Sequence, residues 1–258
     1  MELHVRSEIR GSALWLVIDR PKERNALSAE AIRGLLEGLA RAESDPAVRT
    51  VVVTGGGDRV FCPGADLSAM VGDGVWASHV GRRAYGELLV RLSSCEKPTI
   101  ARLNGHALAG GLGLVLACDF AVAGETVELG TPEIDRGLFP MMVMALLQRQ
   151  LGRKRALWLV TTGERLSARE ALAWGLLSEV VPIDRLDEAV NRLCEKLGGK
   201  SQAVLALGRR AFRTAEELPL APALEALSLA LSVNVSLEDA GEGVAAFLEK
   251  RAPVWKDR

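Results

Sequence analysis

Apolar positions along the chain fall into short continuous runs separated by stretches at helical spacing. Residues 13–18, Ala-Leu-Trp-Leu-Val-Ile, predict a buried strand ending at Asp19-Arg20-Pro21. Ser28 predicts a helix cap, because Ile32, Leu35, Leu36 and Leu39 follow at helical spacing until Asp45-Pro46 breaks the run. Val48 to Thr54 predicts a second buried strand, closed by Gly55-Gly56-Gly57, and Val60-Phe61-Cys62 a short strand running into Pro63-Gly64. Residues 68–80, rich in Gly, Ser and Asp, read as a mobile loop or short helix. A helix from about Gly81 to Cys95 then leads to Lys97-Pro98 and the strand Thr99 to Leu103. Gly105 to Gly113 is a glycine-rich turn feeding an apolar helix, Leu114 to Cys118.

Beyond it lie a strand near Phe120 to Ala123, a turn at Gly124 and the segment Gly130-Thr-Pro-Glu133. From Met141 onward the pattern is helical except for Glu179-Val180-Val181, which predicts a strand before Pro182. Short strands alternating with helices give an α/β fold class. The chain divides into a core with the active site over 1–195 and an appended helical region over 196–258. In the latter, Leu224, Leu227, Leu231 and Val235 form a longer apolar face than one exposed helix should carry. Trp15 and Trp158 read as core anchors.

With 258 residues, the chain is long enough to bury a substantial core. It is 48% apolar and 25% charged, ordinary values that argue against disorder. Lys and Arg total 32 against 33 Asp and Glu, for a net charge of −1, which disfavours nucleic acid or an anionic membrane surface as the main partner. No apolar run reaches the roughly 18 residues of a membrane span. The longest, Leu138 to Leu147, contains Pro140. The N-terminal segment lacks an apolar signal core, so the expected location is cytoplasmic. Cys62, Cys95, Cys118 and Cys194 form no CxxC pair, which favours reduced thiols and disfavours a zinc site.

Several features with familiar chemistry read as structural. Gly55-Gly56-Gly57 lacks the Gly-Lys-Ser/Thr ending of a phosphate loop and reads as a turn. His106 has no evident nucleophile or acid partner and reads as a structural histidine, while Cys62, Cys95 and Cys118 read as core residues. Two backbone segments carry more. Phe61-Cys-Pro-Gly-Ala-Asp-Leu67 is a strand ending in small residues that can leave an N–H uncovered. Ala109-Gly110-Gly111-Leu-Gly113 opens a helix, whose first N–H groups are unpaired and suit a developing oxyanion. With an acid at Glu133, they point to carbonyl polarisation coupled to proton transfer.

These segments resemble the enoyl-CoA hydratase/isomerase (crotonase) family, and the resemblance runs from end to end. It is carried by Arg20-Pro-Lys-Glu-Arg-Asn-Ala-Leu27, Phe61-Cys-Pro-Gly-Ala-Asp66, Lys97-Pro-Thr-Ile-Ala101, Asn104-Gly-His-Ala-Leu-Ala-Gly-Gly111 and Ala117-Cys-Asp119. Gly130-Thr-Pro-Glu133 with Gly137, Ser167-Ala-Arg-Glu-Ala171 with Trp174-Gly-Leu176, and Phe247-Leu-Glu-Lys-Arg251 complete the series. The resemblance implies a spiral of β-β-α turns with a C-terminal helical trimerisation region, assembled as a homotrimer or hexamer. It also implies an acyl-CoA substrate, with no cofactor beyond the coenzyme A that carries the acyl group. Ala65 and Gly110 match the two oxyanion-hole donors, and Glu133 matches one of the two glutamates of typical hydratases.

The position matching the other glutamate is Gly113, which cannot transfer a proton. One carboxylate suffices for a 1,3-proton shift, so the resemblance points first to an enoyl-CoA isomerase. The alternatives are an enoyl-CoA hydratase or dehydratase with a non-standard second acid, and a catalytically silent CoA-ester-binding protein. Asp135 is the candidate second acid, although pairing with Arg136 or shaping the turn is its stronger reading. Lys22, Asp66, Met141 and Lys250 are the candidate substrate and CoA contacts. Met142 is divided evenly between pocket and packing, Arg251 reads as surface charge, and Trp76 is the one aromatic assigned to the acyl pocket.

Overall fold

Three consecutive stretches of the chain repeat one path: strand, second strand, helix. The first is β3 (Thr50–Gly55), β4 (Val60–Cys62) and α2 (Gly74–Ser94). The second is β5 (Thr99–Leu103), β6 (His106–Leu108) and α3 (Gly110–Ala117). The third is β7 (Phe120–Gly124), β8 (Glu128–Gly130) and α4 (Met141–Thr162), the last broken at Gly152 by a φ of 68°. This computed structural model describes residues 4–66 and 74–258, with the side chains of 74–78 left out.

The first strands of these units are neighbours in a six-stranded sheet, and the second strands are neighbours in a four-stranded one. Preceding them are β1 (Val5–Arg10), β2 (Ala13–Ile18) and α1 (Ala29–Ser44). After them come β9 (Arg165–Ser167), α5 (Ala168–Trp174) and β10 (Glu179–Val181). The large sheet runs β1-β2-β3-β5-β7-β10, parallel except for the β1–β2 pair; the small sheet runs β4-β6-β8-β9, parallel except for β8–β9. The expected spiral of β-β-α turns is thus present.

Alternation along β2 explains its unbroken apolar run. Leu14, Leu16 and Ile18 face the main core with Leu35 and Leu39 of α1, while Ala13 and Trp15 face a second core. There Trp15 packs with Val52, Ile100 and Val122 under α6 (Leu186–Gly198), whose Leu186, Ala189 and Val190 cover the sheet. The Arg10 guanidinium sits 3.9 Å from the Trp15 ring centroid, adding a cation–π contact on the outer side. Trp158 differs from its expected core role. It is 49% exposed, because α4 turns Ala156, Leu159 and Val160 inward and leaves Trp158 on the outer face, where its Nε1 donates to Glu164.

Ser28 caps α1 as its spacing predicts, accepting from the Ala31 N–H at 3.2 Å. The chain ends in α7 (Gln202–Glu216), α8 (Leu220–Val235) and α9 (Glu238–Leu248). Arg209 of α7 ties this region to the core, donating to Asp119 at 2.5 Å and to the Cys95 carbonyl at 2.7 Å. Much of α8 has no cover: Leu224 is 58% exposed, Leu231 60% and Val235 66%. Among the described residues no single helix is long and apolar enough to cross a membrane.

Candidate active site

Because β4, β6 and β8 are parallel neighbours, their C-terminal ends lie side by side, and each delivers one candidate segment to the same place. After β4 the chain reaches Ala65, which forms a parallel bridge with Leu27. In that bridge the Leu27 N–H donates to the Gly64 carbonyl at 2.8 Å and the Asp66 N–H donates to the Leu27 carbonyl at 3.0 Å. The pleat therefore directs the N–H of Ala65 away from Leu27. Arg20 braces the same segment, donating to Asp66 Oδ2 at 3.0 Å and to the Ala26 carbonyl at 2.6 Å. Asn25, buried and at a φ of 63°, donates to the carbonyls of Gly56 and Val60. The Arg20-to-Leu27 stretch thus splints the segment of the first candidate donor.

After β6 the chain turns sharply at Ala109, with φ 50° and ψ −126°, a region that glycine enters far more easily than alanine. Such backbone strain costs on the order of 1–3 kcal/mol and is held only where the surroundings over-determine it. Here the Ala109 N–H donates to the Gly130 carbonyl at 2.9 Å, tying the turn to the end of β8. The turn swings round the peptide bearing the Gly110 N–H. As the first residue of α3, Gly110 has no carbonyl one turn back to accept that proton. The two candidate donor segments touch. A Cβ on Gly64 would lie 2.8 Å from the Ala109 Cβ and 2.9 Å from the Gly110 nitrogen. At Gly111 a Cβ would collide with the Cys62 carbonyl, so glycine is required for the approach.

After β8, Thr131 and Pro132 lead into a 3-10 turn, Pro132–Arg136, that carries Glu133. Thr131 is fully buried and donates to the Leu159 carbonyl at 3.0 Å, fixing the turn to α4. Glu133 is half-buried, and its Oε2 is buried with no hydrogen-bond partner. Burial raises its pKa above the usual carboxylate value, opposed by a backbone hydrogen bond and by Arg136. A carboxylate with one buried oxygen left without a partner is equipped to take a proton from a carbon next to a polarised carbonyl.

Position 113, where the resemblance places a second acid, faces a phenol. Any Cβ there would collide with Tyr85 Oη, and would come within 3.3 Å of Val143 Cγ2. Tyr85 projects from α2 with its hydroxyl donating to the Gly110 carbonyl at 2.7 Å. Sequence reasoning missed it, although a signal exists. Tyr85 is the chain's one tyrosine, and with Leu88, Leu89 and Leu92 it forms an i, i+3, i+4, i+7 stripe that predicts burial. A buried phenol needs a polar partner.

The other candidates are dispersed. Asp135 is exposed, and its carboxylate lies 3.2 Å from where a Cβ on Gly163 would stand, at the end of α4. Lys22 is exposed in the 3-10 turn after β2 and lines a depression with His4, Asp19, Arg20, Pro21 and Glu23. Asp66 is held by Arg20. Met141 is 65% exposed, whereas Met142 packs against the core, with its sulfur 3.9 Å from the Cβ position of Gly86. Lys250 is exposed after α9. The side chain of Trp76 lies outside the described residues, as do residues 68–73 of the expected loop. His106 is built into the sheet, its Nδ1 accepting from the Glu128 N–H at 3.0 Å. Burial pushes the Cys62 thiol up to about 12 and Cys95 to about 11, leaving neither a nucleophile at neutral pH.

The sequence profile of the enoyl-CoA hydratase/isomerase family matches residues 8–258, and the chain belongs to that family. It is 35% identical over 246 residues to the 2,3-dehydroadipyl-CoA hydratase of Escherichia coli (strain K12), covering 95% of each chain. It is 34% identical over 241 residues to the mitochondrial enoyl-CoA hydratase domain-containing protein 3 of Rattus norvegicus, covering 93% of this chain and 80% of the relative. Among solved structures, an enoyl-CoA hydratase from Bacillus anthracis superposes with a TM-score of 0.95 at 30% identity, over 99% of this chain and all of that one.

Proposed function

We propose that this family member stabilises the enolate of an acyl-CoA thioester and works as an enoyl-CoA isomerase, with Glu133 carrying the proton. The thioester oxygen would sit between the N–H groups of Ala65 and Gly110. Glu133 would remove a proton from one carbon and return it two carbons away. The observation behind this reading is a Glu133 carboxylate whose buried Oε2 has no hydrogen-bond partner, together with a glycine at position 113. Two donors aimed at an oxyanion help mainly where charge develops, so their contribution falls on the transition state rather than on ester binding. In this reading Lys22 and Lys250 serve the coenzyme A phosphates, Met141 the acyl chain, and the coenzyme A ester is the substrate, with no separate cofactor.

The second reading, hydration or dehydration of an enoyl-CoA, draws on the hydratase activity in the name of the Escherichia coli relative. It needs a second proton-handling group, and Asp135 is the acid nearest in sequence to Glu133. Purified protein assayed against 2-enoyl- and 3-enoyl-CoAs, with mass detection of added water, separates the two. Double-bond migration without mass gain supports the isomerase; an 18-dalton gain (about one water) overturns it in favour of the hydratase. No conversion of any ester that binds leaves a silent CoA-ester-binding protein.

The uncovered face of α8 supports assembly as a homotrimer or hexamer, because a patch of that extent on a lone chain would be costly in water.

A further inference from the structure

Tyr85 has a role that packing alone does not explain. Its ring is buried among the α2 stripe, yet its hydroxyl reaches the start of α3 and bonds the Gly110 carbonyl at 2.7 Å. The same oxygen lies 3.4 Å from the Cβ position of Gly110 and fills the space over Gly113. The Gly110 residue is therefore held on both sides. Its carbonyl is fixed by Tyr85, and the preceding Ala109 N–H is fixed by the Gly130 carbonyl. Between these two anchors lies the peptide whose N–H is the second oxyanion donor. A turn with φ 50° at an alanine keeps its shape only under such restraint.

We propose that Tyr85 is a positioning residue of the active site: its hydroxyl clamps Gly110 so that the Gly110 N–H points at the thioester oxygen, and its ring and hydroxyl close position 113 to any second proton-transfer group. This rests on the acyl-CoA reading above. Burial, and the nearby charge of Glu133, hold the phenol well above its ordinary pKa, so it remains a neutral donor at neutral pH. A neutral donor places no negative charge beside the developing enolate. The phenol thereby supports the hole, and its bulk leaves Glu133 as the carboxylate facing the substrate.

The test reads the hole directly through the infrared carbonyl stretch of bound trans-2-butenoyl-CoA carrying 13C at the thioester carbon. In the wild type, two aimed donors should shift the stretch to lower frequency. Tyr85→Phe keeps the ring and removes the clamp. It should bind the ester with little change in affinity, melt as a folded protein, and lose most of the shift. Gly113→Ala keeps the phenol but drives its hydroxyl off Gly110, and should lose the shift in the same way. A full shift in either folded variant overturns the proposal while leaving the acyl-CoA reading intact. Loss of ester binding in folded Tyr85→Phe also overturns it, since Tyr85 would then be a ground-state contact. Failure of the wild type to bind the ester overturns the acyl-CoA reading itself.

Discussion

Arg20 and Asp66 are 46 residues apart in the chain and 3.0 Å apart in the fold, and their ion pair locks the segment bearing Ala65 against the stretch ending at Leu27. Both side chains are mostly shielded from water, so the pair is screened less than a surface bridge. Arg20→Met keeps the aliphatic stem but removes the guanidinium bonds to Asp66 and to the Ala26 carbonyl. Turnover should fall roughly tenfold to a hundredfold as the Ala65 donor drifts, with a lower melting temperature. Steady-state kinetics beside a thermal melt checks this; unchanged turnover would detach the ion pair from the hole.

Glu133→Gln preserves shape and removes the titrating group. Turnover should drop by about a hundred- to ten-thousandfold with ester affinity nearly unchanged. Exchange of the substrate's α- or γ-protons with deuterated water should disappear in parallel. Near wild-type exchange would move the proton-transfer role to another group, with Asp135 the next to substitute.

The raised pKa of Glu133 has two pH signatures. As a base it must be ionised, so kcat/KM should rise with pH through a midpoint above the usual carboxylate value of 4.5. For stability the sign is opposite. The folded protein holds the proton more tightly than the unfolded chain, so this group's contribution is complete below the unfolded value and declines as pH rises through the folded one. Glu133→Gln should therefore melt higher than wild type at neutral pH, with the gap closing in acid. An unchanged gap across that range, measured by pH-dependent thermal melts, would refute the assignment.

Gly64→Ala introduces one methyl where the chain has φ 103° and the Ala109 methyl and Gly110 nitrogen are already within 3 Å. The donor segments must separate to admit it. Activity should fall by about two orders of magnitude, as for the loss of one oxyanion donor, in a protein that still folds. The contrast is Gly81→Ala, which has open space at its Cβ position and should leave both activity and melting nearly unchanged.

Leu224→Glu with Leu231→Glu places charge on the uncovered face of α8. Wild type should sediment as a trimer or hexamer at micromolar concentration and the double variant as a smaller species. A wild-type monomer would remove the assembly proposal.

Much of the scaffold was legible in the sequence because it rests on local pattern. The continuous run of β2, the Ser28 cap and the strands Thr99–Leu103 and Glu179–Val181 appear where their residues predict them. β1 was not legible, because Val5-Arg-Ser-Glu-Ile-Arg10 is a polar edge strand with few inward apolar positions. Nor were β6, β8 and β9, since three residues are too few to display a period of two. Ala65, Gly110 and Glu133 were singled out by their motifs, and the fold brings the segments that carry them together at adjacent strand ends. The Tyr85 contact was not, because the bond to Gly110 spans 25 residues and depends on how α2 packs over α3. Asp135 shows the reverse limit. Two residues from Glu133 in sequence, it lies on a different side of a tight 3-10 turn.

The spiral gives each working part its own address. The segments bearing Ala65, Gly110 and Glu133 arrive on successive coils, one per coil, and come together at adjacent strand ends. A substitution at one tip is therefore felt by the next coil, since Gly64 of the first abuts Ala109 and Gly110 of the second. The space over Gly113 of the middle coil is filled by Tyr85, which the first coil supplies from α2. Such a framework lets one coil reshape the segment carried by the next while the order of the strand ends is kept.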